Sequence, residues 1–380
     1  MSDVAIISCT SYEEGAVLAA VERGISLLGG AEKFVQPGEK ILLKLNWLSG
    51  DPPEKCVTTH PAVFRAVATV FQRAGAQLSY GDSPGFQPPE SAAKKTGAAE
   101  VAEQLNIPLG DFRAGQDVHF AEGRQNKRFT ISNAVLESDG VISLPKMKTH
   151  AFQRITGAVK NQFGCIPGAL KGEFHVKIPS AYDFAKMLID LNTFVHPRLY
   201  VMDGITAMEG NGPRGGDPKQ MNVLLLSTDP IALDATMCRL MNLDPSLVLT
   251  NLAGAEQGAG TYRAEEIQLL GDPMENFIAK GFVVNREPEQ TETKRAQPRF
   301  IKEALTPKPY IVAEKCVRCG ICVNMCPVTP KVVNWHDGNK QNPPSYQYDR
   351  CIRCYCCQEV CPESAILVKV PFLRRILDRK

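Results

Sequence analysis

The chain has 380 residues, a hydrophobic content of 44% and a formal net charge of +2 at pH 7. This length predicts two or three domains, and the ordinary hydrophobic content allows a large core. The sequence shows no basic and apolar signal segment and no run of the roughly 20 apolar residues that span a bilayer. It therefore predicts a cytoplasmic chain without a transmembrane segment.

Segments with strand and helix periodicity alternate through residues 1–270. The predicted strands are Val4–Ser8, Lys40–Trp47, Gln77–Tyr80, Val141–Leu144, Arg198–Met202, Asn222–Leu226 and Ile267–Leu270. The predicted helices are Glu13–Leu28, His60–Ala74, Ser91–Leu105, a turn at Ile131–Glu137, Phe152–Phe163, Ala181–Val195, Pro230–Asn242 and Pro245–Gln257. This alternation predicts an α/β domain with a mostly parallel sheet and helices on both faces. A closed (β/α)8 barrel would need more such units than the sequence shows.

The remaining residues divide into three segments. Residues 271–309 are polar, which predicts a linker or an arm packed on the main domain. Residues 310–370 are rich in cysteine and predict a small α+β domain. Residues 371–380 form a basic tail, PFLRRILDRK, that suits either a docked terminal helix or a helix on a membrane surface.

Eight of the 13 cysteines form two runs with the spacing C-x2-C-x2-C-x3-C-P. This is the ligand pattern of two-cluster ferredoxins, in which the fourth cysteine of each run binds the other cluster. The spacing predicts two [4Fe–4S] clusters. Cluster 1 would be held by Cys316, Cys319, Cys322 and Cys361, and cluster 2 by Cys351, Cys354, Cys357 and Cys326.

Other interpretations of these cysteines fit less well. Structural zinc sites use two pairs of ligands, and disulfide frameworks belong to secreted chains. The other five cysteines are scattered: Cys9, Cys56, Cys165, Cys238 and Cys356. A basic surplus in residues 310–380 would offset the negative charge of the clusters, so it does not indicate a nucleic-acid partner.

Polar residues follow several predicted strands of the α/β domain, where ligands of parallel sheets bind. Three groups occur there: Lys44 and Asn46; the turn GDSPG with Asp82 and Ser83; and KMKTH with Lys146, Lys148 and His150. Lys160 and Asn161, Asp203, and Arg214 in the glycine-rich loop MEGNGPRGG complete the candidates. The sequence predicts that the five cations Lys44, Lys146, Lys148, Lys160 and Arg214 surround one crevice and bind an anionic small molecule.

Lys146, Lys148, His150 and Asp203 are the candidate catalytic residues, since such groups bind anions or transfer protons. Structural alternatives stay open for several candidates. Lys44 could be a strand-end lysine in water, GDSPG a tight turn, and residues 210–216 a surface loop. His150 could be a hydrogen-bonded crevice histidine instead of a metal ligand or general acid. The sequence has neither a Walker A motif nor a dinucleotide-binding G-x-G-x-x-G, so ATP and NAD are not indicated. A flavin stays open because flavin sites lack one shared motif.

At KLNW, GDSPGF, LPKMKTH and TGAVKNQFG the chain resembles the family called domain of unknown function 362, over most of residues 1–270. Residues 310–370 resemble the 4Fe–4S ferredoxin domain that is often fused behind it. The first resemblance implies a shared crevice but no established reaction. Its elements fall on Lys44 and Asn46, on Lys146, Lys148 and His150, and on Lys160 and Asn161.

The leading hypothesis is an iron–sulfur oxidoreductase that passes electrons through both clusters to an anionic substrate or bound cofactor in the crevice. Two alternatives remain at this stage: an electron carrier whose α/β domain docks a protein partner, and a maturation factor that builds or inserts a cofactor. All three require a redox partner or another low-potential electron donor.

Overall fold

The computed structural model describes residues 1–288, 306–369 and Pro371. The larger domain contains eleven strands: β1 Ser2–Ser8, β2 Lys40–Lys44, β3 Gln77–Gly81, β4 Gly115–His119, β5 Arg128–Ser132, β6 Gly140–Ser143, β7 Lys146–His150, β8 Arg154–Thr156, β9 Leu199–Glu209, β10 Asp217–Ser227 and β11 Ile267–Gly271. Its ten α-helices are α1 Glu14–Leu27, α2 Pro61–Arg73, α3 Pro89–Lys95, α4 Ala98–Gln104, α5 Asn133–Leu136, α6 Ala158–Asn161, α7 Leu170–Lys177, α8 Ala181–Val195, α9 Pro230–Leu240 and α10 Leu249–Gln257.

Nine of these strands form one sheet, in which seven follow the order β11-β1-β10-β9-β6-β2-β3, β7 pairs with β9, and β8 pairs with β7. The pairings β11–β1, β9–β6, β6–β2, β2–β3 and β7–β9 are parallel, while β1–β10, β10–β9 and β7–β8 are antiparallel. Within the described residues β11 and β3 do not pair with each other, so the sheet is open. The predicted mostly parallel sheet is confirmed.

Helices cover both faces of the sheet because its central strands are apolar on both sides. In β2, Ile41 and Leu43 join the core with α1 and α2, whereas the intervening Leu42 joins the opposite core with α8. This alternation follows from the period-two geometry of a strand. Helix α2 begins at Pro61, where the missing proline N–H is not needed, and the His60 side chain accepts from the Ala62 N–H.

Several predicted elements were wrong in type or extent. The predicted helix Phe152–Phe163 is instead β8 followed by the short α6, because β-branched Ile155 and Thr156 favour a strand and Gly157 interrupts a helix. The helix predicted over 91–105 breaks into α3 and α4 at Gly97, whose φ is 76°. Helix α7 and the hairpin of β4 and β5 were not predicted.

The segment KMKTH was predicted to be a crevice loop, and it is strand β7. Both β6 and β7 pair with β9, β6 at Leu199–Tyr200 and β7 further along at Asp203 and Met208. All five residues of β7 are buried. Its three ionisable side chains are therefore in the interior, where each needs a partner or a cavity.

The small C-terminal domain, called here the cysteine domain, comprises the described residues 306–369. It contains β12 Lys308–Ile311, α11 Ile321–Asn324, β13 Val333–Asn334, β14 Ser345–Tyr346, α12 Cys356–Glu359 and β15 Ile366–Lys369. Strand β12 pairs antiparallel with β15, and β13 with β14. Most of the predicted basic tail and residues 289–305 of the predicted linker lie outside the described residues. None of the helices in the described residues is long and apolar enough to cross a bilayer.

Candidate functional site

The four cysteines predicted to hold cluster 1 come together in the cysteine domain. Cys316, Cys319, Cys322 and Cys361 all line one pocket, although Cys361 lies 39 positions beyond Cys322 in the numbering. Ile311, Val317 and Ile366 give this pocket apolar walls. The Ala365 backbone N–H donates to Cys361 Sγ at 3.3 Å, a type of contact that stabilises cluster sulfur and tunes cluster potential. These residues fit a [4Fe–4S] cluster, which when bound supplies one-electron transfer.

Three cysteines of the second set pack beside Cys322 and Cys361 of the first. Cys326, Cys351 and Cys357 share an apolar cluster with Val332, Val333 and Ile366. Tyr346 donates its hydroxyl hydrogen to Cys357 Sγ at 3.3 Å. Because ligand thiolates prefer buried surroundings with a few donors, this environment suits a second cluster.

A loop of the α/β domain, residues 210–216 between β9 and β10, contacts the cysteine domain and is called here the docking loop. Gln358 Nε2 in α12 donates to the backbone oxygens of Asn211 and Gly212 at 2.9 and 3.2 Å. Arg214 donates to the Val360 carbonyl at 2.7 Å and pairs with Asp51 at 2.9 Å. The sequence placed Arg214 at the anion crevice, whereas the structure uses its guanidinium to join the two domains.

A cavity of about 470 Å³ lies between the domains. The α/β domain contributes Lys148, Lys160 and Lys171, and the cysteine domain contributes Cys326, Cys356 and Glu359. Seven residues that were predicted from the sequence line it: Asn46, Asp82, Ser83, Lys148, His150, Lys160 and Asn161. Its volume is in the range of small-molecule and cofactor sites.

Lys44 and Asp82 form a buried ion pair beside this cavity. Lys44 Nζ lies 2.8 Å from Asp82 Oδ1, and the two side chains are 0% and 3% exposed. Lys44 also donates to the carbonyls of Leu45 and Asn161, and Asp82 accepts from the Trp47 N–H at 2.6 Å. All of these groups are already paired, so Lys44 and Asp82 shape the site more than they offer free ligands.

Lys146 and Asp203 belong to a separate cluster that is not part of the cavity lining. Their Nζ and Oδ2 atoms lie 2.7 Å apart, and the Tyr12 hydroxyl contacts both residues at 2.9 Å. The ring of His60 stacks on Tyr12. Burial is the largest influence on the pKa of Lys146 and acts to lower it, but Asp203, Tyr12 and Cys56 together outweigh burial and the pKa is raised. The five predicted cations therefore do not gather around one opening.

Lys148 and Lys160 are the predicted lysines that reach the cavity. Lys148 is fully buried and donates to the Val57 carbonyl, with a distance of 2.6 Å. Burial lowers the pKa of Lys148 to about 7, and repulsion from Lys146 and Lys160 acts in the same direction. Burial also lowers the pKa of Lys160, against the attraction of Glu359. Lys148 can therefore gain or lose a proton near neutral pH.

His150 and Glu359 meet across the domain boundary. His150 Nε2 lies 3.1 Å from Glu359 Oε1. His150 Nδ1 accepts from the backbone N–H groups of Phe152 and Gln153, so a neutral ring carries its proton on Nε2. Burial acts to raise the pKa of Glu359, but His150 and Lys160 outweigh it and lower the pKa to about 2. A carboxylate of the cysteine domain thus enters the lysine-rich cavity.

Sequence reasoning missed Lys171, His175 and Glu359. Lys171 and His175 occupy positions i and i+4 of α7, which puts them on one helix face, and this spacing could have revealed them. Lys171 donates to both Ser83 oxygens and to the Ile166 carbonyl, and burial lowers its pKa to about 7. Glu359 gave no signal, because it is an ordinary acidic residue between two cluster cysteines.

Two solved structures are similar to part of the chain. The lactate racemase apoprotein from Thermoanaerobacterium thermosaccharolyticum is 12% identical, with a TM-score of 0.41, over 63% of this chain and 56% of that one. A structural-genomics protein from Thermotoga maritima is 9% identical, with a TM-score of 0.36, over 59% of this chain and 57% of that one. The chain thus spans little more than half the length of each.

A curated relative and two family models match much more directly. The thylakoid-associated protein sll1697 of Synechocystis sp. (strain ATCC 27184 / PCC 6803 / Kazusa) is 36% identical over 279 residues, which cover 73% of this chain and 86% of that protein. A 4Fe-4S dicluster domain model matches residues 308–362, which supports iron–sulfur electron transfer. A model described as domain of unknown function (DUF362) matches residues 41–239. The chain therefore belongs to the domain of unknown function 362 family, joined here to a 4Fe-4S dicluster domain.

Proposed function

We propose that the chain is an iron–sulfur oxidoreductase that passes electrons through two [4Fe–4S] clusters to an anionic small molecule bound between its domains. The observation that carries the proposal is the shared cavity. Cys326, a predicted ligand of cluster 2, lines the same cavity as Lys148 and Lys160. A molecule bound to these lysines would therefore lie next to an electron donor.

The arrangement of the cysteine sets suggests a direction for the electrons. Cys319 of the first set is exposed at the surface, whereas Cys326 of the second set is buried and borders the cavity. A redox partner would donate electrons to the cluster held by the first set, and the cluster held by the second set would pass them to the cavity ligand. The docking loop keeps this order because it fixes α12 against the α/β domain.

The residues of the α/β domain would bind the ligand, exclude bulk water and supply protons. Lys148 and Lys160 offer positive charge in a low-dielectric site, where attraction for an anion is strong. Reduction of an organic molecule commonly consumes protons as well as electrons. Lys148 can give a proton near pH 7, and His150 holds one on Nε2 toward Glu359.

The proposal is tested on anaerobically purified protein whose clusters have been reduced. The visible absorbance of the clusters is followed while a desalted fraction of small metabolites, or a separate fraction of macromolecules, is added. We expect reoxidation by small molecules, and we expect Lys148→Ala to abolish it while the iron content stays unchanged. The exposed Lys127→Ala serves as control.

One outcome would contradict the oxidoreductase function, and another would contradict the role of Lys148 in it. Reoxidation only with the macromolecular fraction would indicate an electron carrier that docks a protein. Full turnover by Lys148→Ala would assign the buried lysine a structural role. Mass spectrometry of molecules released from the same preparation also tests whether a flavin occupies the cavity.

A further inference from the structure

We propose that Lys148, Lys160 and Thr156 form a subsite for one carboxylate or phosphate group, and that the cavity ligand carries this acid group on an apolar body. The proposal deepens the proposed function and rests on it for the ligand's role as electron acceptor. The binding itself can be measured without turnover. We call these three residues the acid-group subsite.

The pairing of β7 with β8, and helix α6 that follows β8, bring the three residues together at the cavity. Lys148 of β7 and Thr156 of β8 are direct partners in the antiparallel pairing, so their side chains lie on the same side of the two strands. Lys160 follows Thr156 by four residues, within α6. The position of α6 is fixed, because the buried Asp234 carboxylate accepts from the N–H groups of Ala158 and Val159 at 2.6 and 3.2 Å.

Hydrogen-bond capacity distinguishes this subsite from the other lysines nearby. An ammonium group has three donors, and Lys148 uses one, to the Val57 carbonyl. Among the described residues Lys160 has no hydrogen bond or ion pair, and its ammonium lies 5.1 Å from the centroid of the Phe163 ring. Thr156 Oγ1 is buried and has no hydrogen-bond partner in the described part of the chain, in a residue that is 4% exposed. Buried polar groups of this kind normally have hydrogen-bond partners, so the open donors indicate that a ligand binds here.

The neighbouring lysines are already occupied. Lys44 is paired with Asp82, Lys171 donates to three oxygens, and Lys177 is paired with Glu173. The acidic groups that line the cavity are likewise engaged, since Glu359 faces His150. An incoming acid group would therefore find open hydrogen-bond donors on two lysines at the acid-group subsite.

The apolar residues that line the cavity support the apolar body of the proposed ligand. Leu48, Phe163, Val176 and Met325 line the same cavity. They offer an apolar body a surface away from water, which adds favourable free energy in proportion to the area covered. A small inorganic anion would leave most of the 470 Å³ to water.

The test uses isothermal titration calorimetry on the oxidised full-length protein with four probes. 3-Phenylpropionate carries a carboxylate, phenyl phosphate carries a phosphate, 3-phenylpropanol is the neutral analogue, and acetate lacks the apolar body. We expect the two aromatic acids to bind, and the tighter of them identifies the acid group. We expect 3-phenylpropanol and acetate to bind at least about tenfold more weakly, since a hydrogen bond to a charged group and the apolar contact are lost.

Variants then locate the binding. Lys148→Met and Lys160→Met should each weaken the preferred acid by about tenfold or more, and Lys127→Met should leave the affinity unchanged. Lys160→Arg should retain most of the affinity because it keeps the charge. Iron content and cluster spectrum show that each variant is folded. If Lys148→Met does not fold, Lys160→Met and Lys160→Arg decide the question.

Proton uptake provides a second readout. Lys148 has a pKa of about 7, so an anion beside it should complete its protonation and take up about half a proton at pH 7. Titrations in two buffers with different ionisation enthalpies measure this uptake, which should vanish in Lys148→Met. The proposal is overturned if no acid binds, if the alcohol binds equally well, or if neither methionine variant weakens binding. If the aromatic acids bind but the small-metabolite fraction never reoxidises the reduced clusters, the subsite stands and the oxidoreductase function is refuted instead.

Discussion

The buried pair of Lys44 and Asp82 offers a quantitative test of how the site is built. Asp82→Asn keeps the shape of the side chain and an oxygen that can accept from the Trp47 N–H, but removes the negative charge. Lys44, whose side chain is 0% exposed, would then be a buried cation that contacts only neutral oxygens. Breaking a buried pair in this way costs about 3–5 kcal/mol in the free energy of unfolding.

The matched comparison is an exposed pair with similar geometry. Arg73 and Glu22 lie 2.7 Å apart, and their side chains are 62% and 45% exposed. Glu22→Gln should therefore cost less than about 1 kcal/mol, because solvent screens the exposed charges. The difference between the two substitutions isolates the effect of burial.

The measurement is urea denaturation under anaerobic conditions, followed by far-ultraviolet circular dichroism and by cluster absorbance. The double variant Lys44→Met/Asp82→Asn removes both charges and should recover much of the loss, so the double-mutant cycle should show strong coupling. Equal stability of Asp82→Asn and Glu22→Gln would refute this account. So would a double variant that is as unstable as Asp82→Asn alone.

Further predictions concern the cysteines and the docking loop. Cys326→Ser should reduce the iron content from about eight to about four per chain and remove cluster 2; selective loss of cluster 1 in electron paramagnetic resonance would overturn the crossed ligation. Cys356→Ser should leave the iron content unchanged, and a lost cluster would show that Cys356, not Cys357, is the ligand. Arg214→Met should remove the hydrogen bond to the Val360 carbonyl and speed hydrogen exchange in the cysteine domain while the α/β domain stays folded; unchanged exchange would mean that other contacts hold the two domains together.

The layered fold could be predicted because the spacing of apolar residues along the sequence indicates which faces of each element are buried. Ile41, Leu42 and Leu43 form a continuous apolar run, and a strand with both faces covered requires such a run. Strand β7 was missed for the opposite reason. Its lysines and histidine resemble a solvated loop in the sequence, and partners far along the chain, such as Asp203 for Lys146, make their burial tolerable.

The candidate site was predicted in part. Lys148 and Lys160 were expected at an anion site, and both line the interdomain cavity. The division of the remaining lysines could not be foreseen, because it depends on which carboxylate is close in space. Glu359 enters from another domain across more than 200 positions of sequence from His150, and local patterns hold no information on such a contact.

The position of Gln358 and Glu359 between Cys357 and Cys361 has a consequence for how the protein matures. The backbone that aims these two side chains at the α/β domain is the backbone that iron ligation would fix. A newly made chain without iron would therefore lack one wall of the cavity. Under the proposed function, such a chain would not bind the small molecule before it carries the clusters that reduce it.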